Sequence, residues 1–173
     1  MSLPILIRSA GPRDADAVTA LLRRSYPTLL KADYSAQTLA QALPHITTAQ
    51  PNLLTSGTYF LAQDDESGEI VGAGGWTDFS PTNGVGALGE GHLRHFATDP
   101  TYVRRGVGTA LLRAVLASAR GFEVARLKCI STLTATAFYR ANGLCGSREI
   151  EVCLVPGVYL PAVEMQIELS PLS

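Results

Sequence analysis

The stretch at residues 104–108, Arg-Arg-Gly-Val-Gly, combines positive charge with a backbone that can approach a ligand closely. Glycine has no Cβ, so its N–H group can come within hydrogen-bond distance of a phosphate. An apolar segment with helical spacing follows, and a helix start offers unpaired N–H groups and the positive end of the helix dipole. The stretch therefore predicts a phosphate-binding turn, although a plain strand-to-helix turn that uses glycines for tight packing explains the same residues.

A second glycine pattern, GVGALG at residues 84–89, matches G-x-G-x-x-G but precedes a strand. A dinucleotide-binding loop needs the opposite context, because its glycines must lead from a strand into a helix. The sequence also contains no Gly-Lys-Ser or Gly-Lys-Thr of a Walker A motif. We interpret residues 84–89 as a flexible loop, and a kinase or ATPase is not favoured.

Ionisable side chains lie on the strand-like stretch EGHLRHFAT, which leads to the glycines. Successive side chains of a strand alternate in direction, so one face is predicted to carry Glu90, His92, Arg94 and Phe96. His95 falls on the other face, which counts against a metal shared by His92 and His95, and no metal is predicted. His92 and Glu90 can both accept a proton, although a solvated strand residue fits each position equally well.

The composition is that of one globular domain: 173 residues, 46% hydrophobic and 17% charged. Fourteen basic and 15 acidic residues give a net charge of −1, so no nucleic-acid partner is expected. No apolar run approaches the ~20 residues that span a bilayer, and the N-terminus does not resemble a signal peptide, so no membrane partner is expected. Cys129, Cys145 and Cys153 form no Cys-x-x-Cys pair and are interpreted as reduced thiols of a cytoplasmic protein.

The hydrophobic pattern predicts a mixed α/β fold, a sheet with helices on its faces. Strands are predicted at 4–10, 58–63, 70–79, 92–100, 124–130, 148–155 and 162–169. Helices are predicted at 11–26, at 27–48 as one or two segments, after the glycines at 106 and 108 as far as Gly121, and at 134–143. Ser35 is predicted to cap the helix that begins at residue 36.

Two linked segments resemble the acetyl-CoA-binding core of the GNAT superfamily of acyl-CoA N-acyltransferases. They are HFATDPTYVRRGVGTALL at residues 95–112 and TLTATAFYRANGL at residues 132–144. The resemblance implies a mostly antiparallel sheet of six to seven strands flanked by about four helices. It also implies one domain over residues 1–173, with a cofactor-binding core at about 90–145 and acceptor-site elements at about 25–80 and 146–170.

The cofactor that the resemblance implies is acetyl-CoA, the acyl donor. Its pyrophosphate would lie on the turn with the two glycines, and its pantetheine arm would pair with the preceding strand as an extra strand does. The residues implied to bind it are Phe96, Ala97, Thr98, Arg104, Arg105, Gly106, Val107, Gly108, Thr109 and Thr134. The chain departs from the family pattern at Val103, where Gln or Arg is usual, at Thr134, where Asn is frequent, and at Leu144, where Phe is commonest.

The implied activity is acetyl transfer to a small-molecule amine or a peptide. Tyr139 would protonate the leaving thiolate, a backbone N–H near Phe96 or Ala97 would stabilise the oxyanion, and His92 or Glu90 would be the base. Core packing is the alternative role of Tyr139. A non-catalytic acyl-CoA-binding or sensing domain is the alternative function, and the sequence leaves a homodimer open.

Overall fold

The computed structural model describes residues 4–169, which form a seven-stranded sheet with helices on its faces. The strands are β1 Ile5–Ser9, β2 Tyr59–Asp64, β3 Ile70–Thr77, β4 Glu90–Thr98, β5 Arg126–Thr132, β6 Cys145–Val155 and β7 Val158–Glu168. The helices are α1 Ala15–Leu29, α2 Ala36–Ile46, α3 Pro51–Leu54, α4 Val107–Gly121 and α5 Thr136–Ala141. The predicted α/β class and element order are confirmed, with α3 as an additional single turn.

The sheet has the order β1-β2-β3-β4-β5-β7-β6. Within residues 4–169 its pairs are antiparallel except β4 with β5, which run parallel. These two strands pair only from Glu90 to His92 on β4 and from Arg126 to Lys128 on β5. Because the pairing ends there, β4 and β5 separate toward their carboxyl ends and leave a gap in the middle of the sheet.

Helices cover both faces of the sheet because each has an apolar stripe to bury. The leucines Leu21 and Leu22 of α1 pack in one cluster with Leu61 of β2, whereas Leu111 of α4 packs in another with Ala62. Successive strand residues point to opposite faces, so α1 and α4 lie on opposite sides. Each fully buried leucine contributes about 2 kcal/mol of hydrophobic stabilisation. At the start of α2, the Ser35 Oγ accepts a hydrogen bond from the Thr38 N–H at 3.1 Å, as the predicted cap requires.

A β-bulge interrupts β4 just before the gap. Gly75 of β3 pairs with Arg94, but Ala73, two residues earlier, pairs with Ala97, three residues later, so β4 contains one extra residue. His95 lies at this point with a φ of 54°. A positive φ is uncommon for a residue with a side chain, so the surrounding contacts must hold it there.

The bulge makes the prediction of strict alternation along β4 wrong beyond Arg94. The His95 ring contacts the carbonyl of Ile46 at the end of α2, so it lies on the α1–α2 side. Phe96 instead packs in the clusters of α4 and contacts the ring of Tyr139. The extra residue shifts the alternation by one position, which brings Arg94 and His95 to the same side.

No helix within residues 4–169 is long and apolar enough to cross a membrane.

Candidate active site

A cleft of about 920 Å³ lies where β4 and β5 separate. It extends from the glycine turn (residues 104–109) to the ends of α1 and α2 and to β6 and β7. Tyr139 lines it, and so do all the predicted cofactor-binding residues except Arg105. These are Phe96, Ala97, Thr98, Arg104, Gly106, Val107, Gly108, Thr109 and Thr134.

The two glycines of the turn have different structural roles. Gly106 is the N-cap of α4 and has a φ of 87°, a left-handed conformation that glycine adopts without strain. A Cβ at this position would meet no protein atom within 4 Å, so it would enter open space in front of the turn. A Cβ on Gly108 would instead approach the Phe138 ring to 3.1 Å. Gly108 therefore allows α4 to pack on α5, and Gly106 shapes the turn and leaves the space in front of it open.

The arginines of the turn also differ. Arg104 lines the cleft with a φ of 61°, whereas Arg105 does not line it. The Arg105 guanidinium lies over the Tyr102 ring, 5.0 Å from its centroid. Of the two arginines, Arg104 is thus the one that lies at the cleft.

Backbone N–H groups of β4 face the gap. The Asp99 N–H donates to the Val71 carbonyl of β3 at 2.8 Å, so in the antiparallel alternation residues 97 and 99 face β3. Phe96 and Thr98 therefore face the other way, where β5 has already separated. Their carbonyls accept hydrogen bonds from α1, at 2.8 Å from the Tyr26 hydroxyl and 2.7 Å from the Ser25 hydroxyl. Within residues 4–169 the pairing of β4 with β5 has ended at His92, so no strand pairs with these N–H groups and they are open to a bound molecule.

Tyr139 lies on α5 beside this strand. Its side chain is 5% exposed, and its ring lies 6.1 Å from the Phe96 ring in an edge-to-face arrangement. Burial, and secondarily the nearby Cys129, raises the pKa of Tyr139 well above its ordinary value. Burial also raises the pKa of the Cys129 thiol to about 12. Both groups are therefore protonated at neutral pH, and the Tyr139 hydroxyl is a proton donor.

The hydroxyl of Thr134 has no partner. Its Oγ1 is buried and makes no hydrogen bond within residues 4–169, although the residue lines the cleft. Buried polar groups are rarely left unpaired, so such a group marks a position where a ligand is expected to contribute a hydrogen bond. Thr134 is thus suited to contact a molecule bound in the cleft, although it stands where the family pattern often has Asn.

Glu90 and His92 lie apart from Tyr139. Both line a second cavity of about 580 Å³ that does not include Tyr139 but shares three lining residues with the cleft, Thr82, Cys129 and Ile130. A carboxylate oxygen of Glu90 lies 3.4 Å from the Lys128 ammonium. Burial, followed by the positive charge of Lys128, lowers the pKa of His92, so its imidazole is neutral at pH 7 and able to accept a proton.

His95 is not among the site residues predicted from the sequence, but it lines the cleft itself. Its Nε2 lies 3.0 Å from the Ile46 carbonyl oxygen, and because a carbonyl only accepts, Nε2 carries the hydrogen. Nδ1 then holds a lone pair and has no partner within residues 4–169. Burial lowers the pKa of His95, so this ring is neutral at pH 7. Only the bulge brings it here, and nothing in the sequence marks the bulge.

The buried His95 is expected to make stability depend on pH. Its folded pKa lies below the unfolded value of about 6.5, so the unfolded state binds a proton first as the pH falls. Stability should be complete above about pH 6.5 and decrease below it, by at most about 1.4 kcal/mol per pH unit for this group. Urea unfolding between pH 5 and 8 measures the slope. His95→Gln, which keeps a donor for Ile46, should flatten it; parallel curves for the two proteins would contradict this assignment.

The chain thus has a mostly antiparallel sheet that splits between β4 and β5, with a glycine turn at the split. The sequence model of the Acetyltransferase (GNAT) family matches residues 16–144, so the chain belongs to that family. The family resemblance seen in the sequence is confirmed. No curated protein sequence matches the chain.

Solved structures share the whole fold. The GCN5-related N-acetyltransferase named "Aminotransferase, Class-II" from Rhodopseudomonas palustris has a TM-score of 0.74 and 23% identity, with 98% of each chain covered. The PaiA N-acetyltransferase from Thermoplasma acidophilum, solved with coenzyme A, has a TM-score of 0.71 and 14% identity, covering 97% of this chain and 99% of its own. The ribosomal-protein-S18-alanine N-acetyltransferase from Escherichia coli has a TM-score of 0.64 and 19% identity, covering 98% and 96%.

Proposed function

We propose that this protein is an N-acetyltransferase that moves the acetyl group of acetyl-CoA to an amine by direct attack in a ternary complex. The observation that carries the proposal is that one cleft contains the glycine turn, the unpaired N–H groups of β4 and the protonated Tyr139. The PaiA structure, which contains coenzyme A, supports the cofactor. The S18-alanine enzyme, named for a protein acceptor, supports an amine or a peptide as the acceptor. One domain spans the chain in this proposal.

The chain offers a site for each part of the donor. The first N–H groups of α4 and the Arg104 guanidinium hold the pyrophosphate, since both are donors at the positive end of a helix. The N–H groups of Thr98 and Phe96 and the Thr134 hydroxyl bind the pantetheine arm and the thioester carbonyl. Bound acetyl-CoA supplies an activated carbonyl. The Phe96 N–H then stabilises negative charge on the carbonyl oxygen as the amine attacks.

Two proton transfers complete the reaction. Tyr139 donates its hydroxyl proton to the leaving sulfur. The acceptor amine, with an ordinary pKa near ~10, must lose a proton before it attacks. We propose His92 as the base, with Glu90 as the alternative. Either would take the proton through a chain of water molecules that connects the two neighbouring cavities. His95 is a further candidate, because its Nδ1 has a free lone pair and the residue lines the cleft.

The pH dependence of the rate identifies the base. We expect His92→Ala to remove an ionisation below about pH 6.5 from the profile of kcat/KM, because burial lowers the pKa of His92 and the variant has no imidazole to titrate there. Glu90→Gln and His95→Gln are the matched variants. An ionisation that persists in His92→Ala but disappears in one of the other two assigns the base to that residue instead.

A non-catalytic acyl-CoA-binding domain is the second candidate, and it is favoured because His92 and Glu90 line a different cavity from Tyr139. Calorimetric titration with acetyl-CoA, with ATP as the control, tests the cofactor. If acetyl-CoA does not bind at micromolar protein, the proposed function is wrong. Thiol release from acetyl-CoA is then measured with amino acids, aryl amines, polyamines, aminoglycosides and peptides. Binding without thiol release from any of them would favour the non-catalytic domain.

A further inference from the structure

The charges that line the cleft all have the same sign. Within residues 4–169 no Asp or Glu lines it, and its permanent charges are those of Arg94 and Arg104. Arg104 lies in the glycine turn, at the phosphate end of the cleft. Arg94 lies on β4 before the bulge, on the side of α1 and α2, where the acceptor-site elements meet the cleft.

Arg94 is held by neutral groups. Its Nη1 donates to the Thr77 hydroxyl at 3.1 Å, and its Nη2 donates to the Gln50 side-chain oxygen at 3.1 Å. The guanidinium also lies over the Phe79 ring, 5.5 Å from its centroid. Two of its five N–H donors are used in these hydrogen bonds, which leaves others free.

No carboxylate neutralises this charge. Within residues 4–169 no Asp or Glu oxygen lies within 4.0 Å of Arg94, whereas Arg8, Arg24 and Arg126 all have carboxylate partners. Arg94 is half-buried, and burial lowers its pKa. A partly desolvated cation with a rigid, planar set of donors is well suited to bind a carboxylate in two parallel hydrogen bonds.

Much of this end of the cleft is apolar, although His45, Gln50 and His95 also line it. Side chains from the ends of α1 and α2 face side chains from β6 and β7 across it, and these are Leu29, Leu30, Ile46, Val152, Leu154 and Leu160. They provide a surface for a hydrophobic group but no negative charge for a second ammonium. A polyamine or an aminoglycoside would bring several positive charges toward Arg94 without a counter-ion.

We propose that the acceptor is an amine that also carries a carboxylate and an apolar body, such as an amino acid with an apolar side chain, and that Arg94 binds the carboxylate. This inference rests on the proposed acetyl transfer. In that transfer a nitrogen–carbon bond forms and the carbon–sulfur bond breaks. The ammonium loses two protons: one passes through the base to solvent, and the other restores the proton that Tyr139 gives to sulfur. The positive charge of Arg94 also favours the neutral, reactive form of the amine.

Pairs of acceptors that differ only in the carboxylate test the proposal. L-leucine is compared with 3-methylbutylamine, and L-phenylalanine with 2-phenylethylamine, by thiol release from acetyl-CoA. We expect kcat/KM to be about tenfold or more higher for each amino acid, because a charge-assisted bidentate contact is lost with the carboxylate. Arg94→Gln should bring this ratio close to one, mainly through a raised KM for the amino acid, and Arg94→Lys should restore part of it. Arg113→Gln, on the exposed face of α4, is the control and should keep the ratio.

Failure of the Arg94 assignment can be distinguished from failure of the proposed acetyl transfer. If acetyl-CoA binds and the carboxylate-free amines react as well as the amino acids, or if Arg94→Gln keeps the preference, the assignment of Arg94 is wrong and acetyl transfer stands. If acetyl-CoA does not bind, the proposed function is wrong and this inference with it. If acetyl-CoA binds without turnover, N-acetylleucine and N-(3-methylbutyl)acetamide are titrated into the protein loaded with coenzyme A. Tighter binding of N-acetylleucine that Arg94→Gln abolishes supports the inference, and equal binding overturns it.

Discussion

Replacement of Tyr139 by phenylalanine is expected to lower kcat about 100-fold or more and to leave the Kd for acetyl-CoA almost unchanged. The side chain is buried, and its raised pKa keeps the hydroxyl protonated throughout the physiological range. General acid catalysis by a positioned group typically contributes about 100- to 10,000-fold. Phenylalanine keeps the aromatic ring and its edge-to-face contact with Phe96 but has no proton to give. Thiol release measures kcat, and calorimetry measures the Kd.

The matched control for this variant is Tyr159→Phe, which removes a hydroxyl from a side chain that is 52% exposed and does not line the cleft. It should have the wild-type rate. An unchanged kcat in Tyr139→Phe would show that the hydroxyl is not the acid and that the residue serves the packing of α5. A loss of acetyl-CoA affinity comparable to the loss of rate would assign Tyr139 to binding instead.

Gly106→Ala is expected to weaken acetyl-CoA binding about 10- to 100-fold with only a small loss of stability. The φ of 87° costs a residue with a Cβ about 1–2 kcal/mol, which the folded state can tolerate. The new methyl group meets no protein atom within 4 Å, so it occupies the open space in front of the turn, where the pyrophosphate is proposed to bind. Calorimetric titration gives the change in Kd, and urea unfolding without ligand gives the change in stability.

Gly57→Ala separates the two effects. Gly57 has a φ of 78°, a Cβ there would also meet nothing within 4 Å, and the residue does not line the cleft. The two alanine variants should lose similar stability, but only Gly106→Ala should lose affinity for acetyl-CoA. Equal affinities in both variants would mean that the phosphates do not bind at this turn.

Much of the fold could be predicted because local patterns determine it. The apolar stripe of α4 and the cap at Ser35 depend on neighbouring residues, and both are present in the structure. The turn between β4 and α4 could also be predicted from the sequence, because glycines directly before a helix are a local signal. The family could be recognised because two such signals occur at a fixed separation.

The acceptor side of the site could not be predicted in the same way. The bulge in β4 depends on the register with β3 and on contacts from α2, which no local pattern encodes. It reverses the expected directions of His95 and Phe96, so a strand pattern alone assigned His95 to the wrong face. The absence of a carboxylate near Arg94 is likewise a property of the folded surroundings, because it depends on which residues of distant segments lie beside the guanidinium.

The carbonyls of the bulge are held from outside the two linked segments at residues 95–112 and 132–144 that carry the family resemblance. The Tyr59 hydroxyl of β2 donates to the His95 carbonyl at 2.9 Å, and the Tyr26 hydroxyl of α1 donates to the Phe96 carbonyl. The two linked segments therefore do not fix the conformation of this backbone by themselves. Grafted into another sheet, the strand, turn and helix would keep their sequence but lose the two phenols that fix the backbone of His95 and Phe96. Transfer of the proposed activity to another scaffold must include the segments that contain Tyr26 and Tyr59.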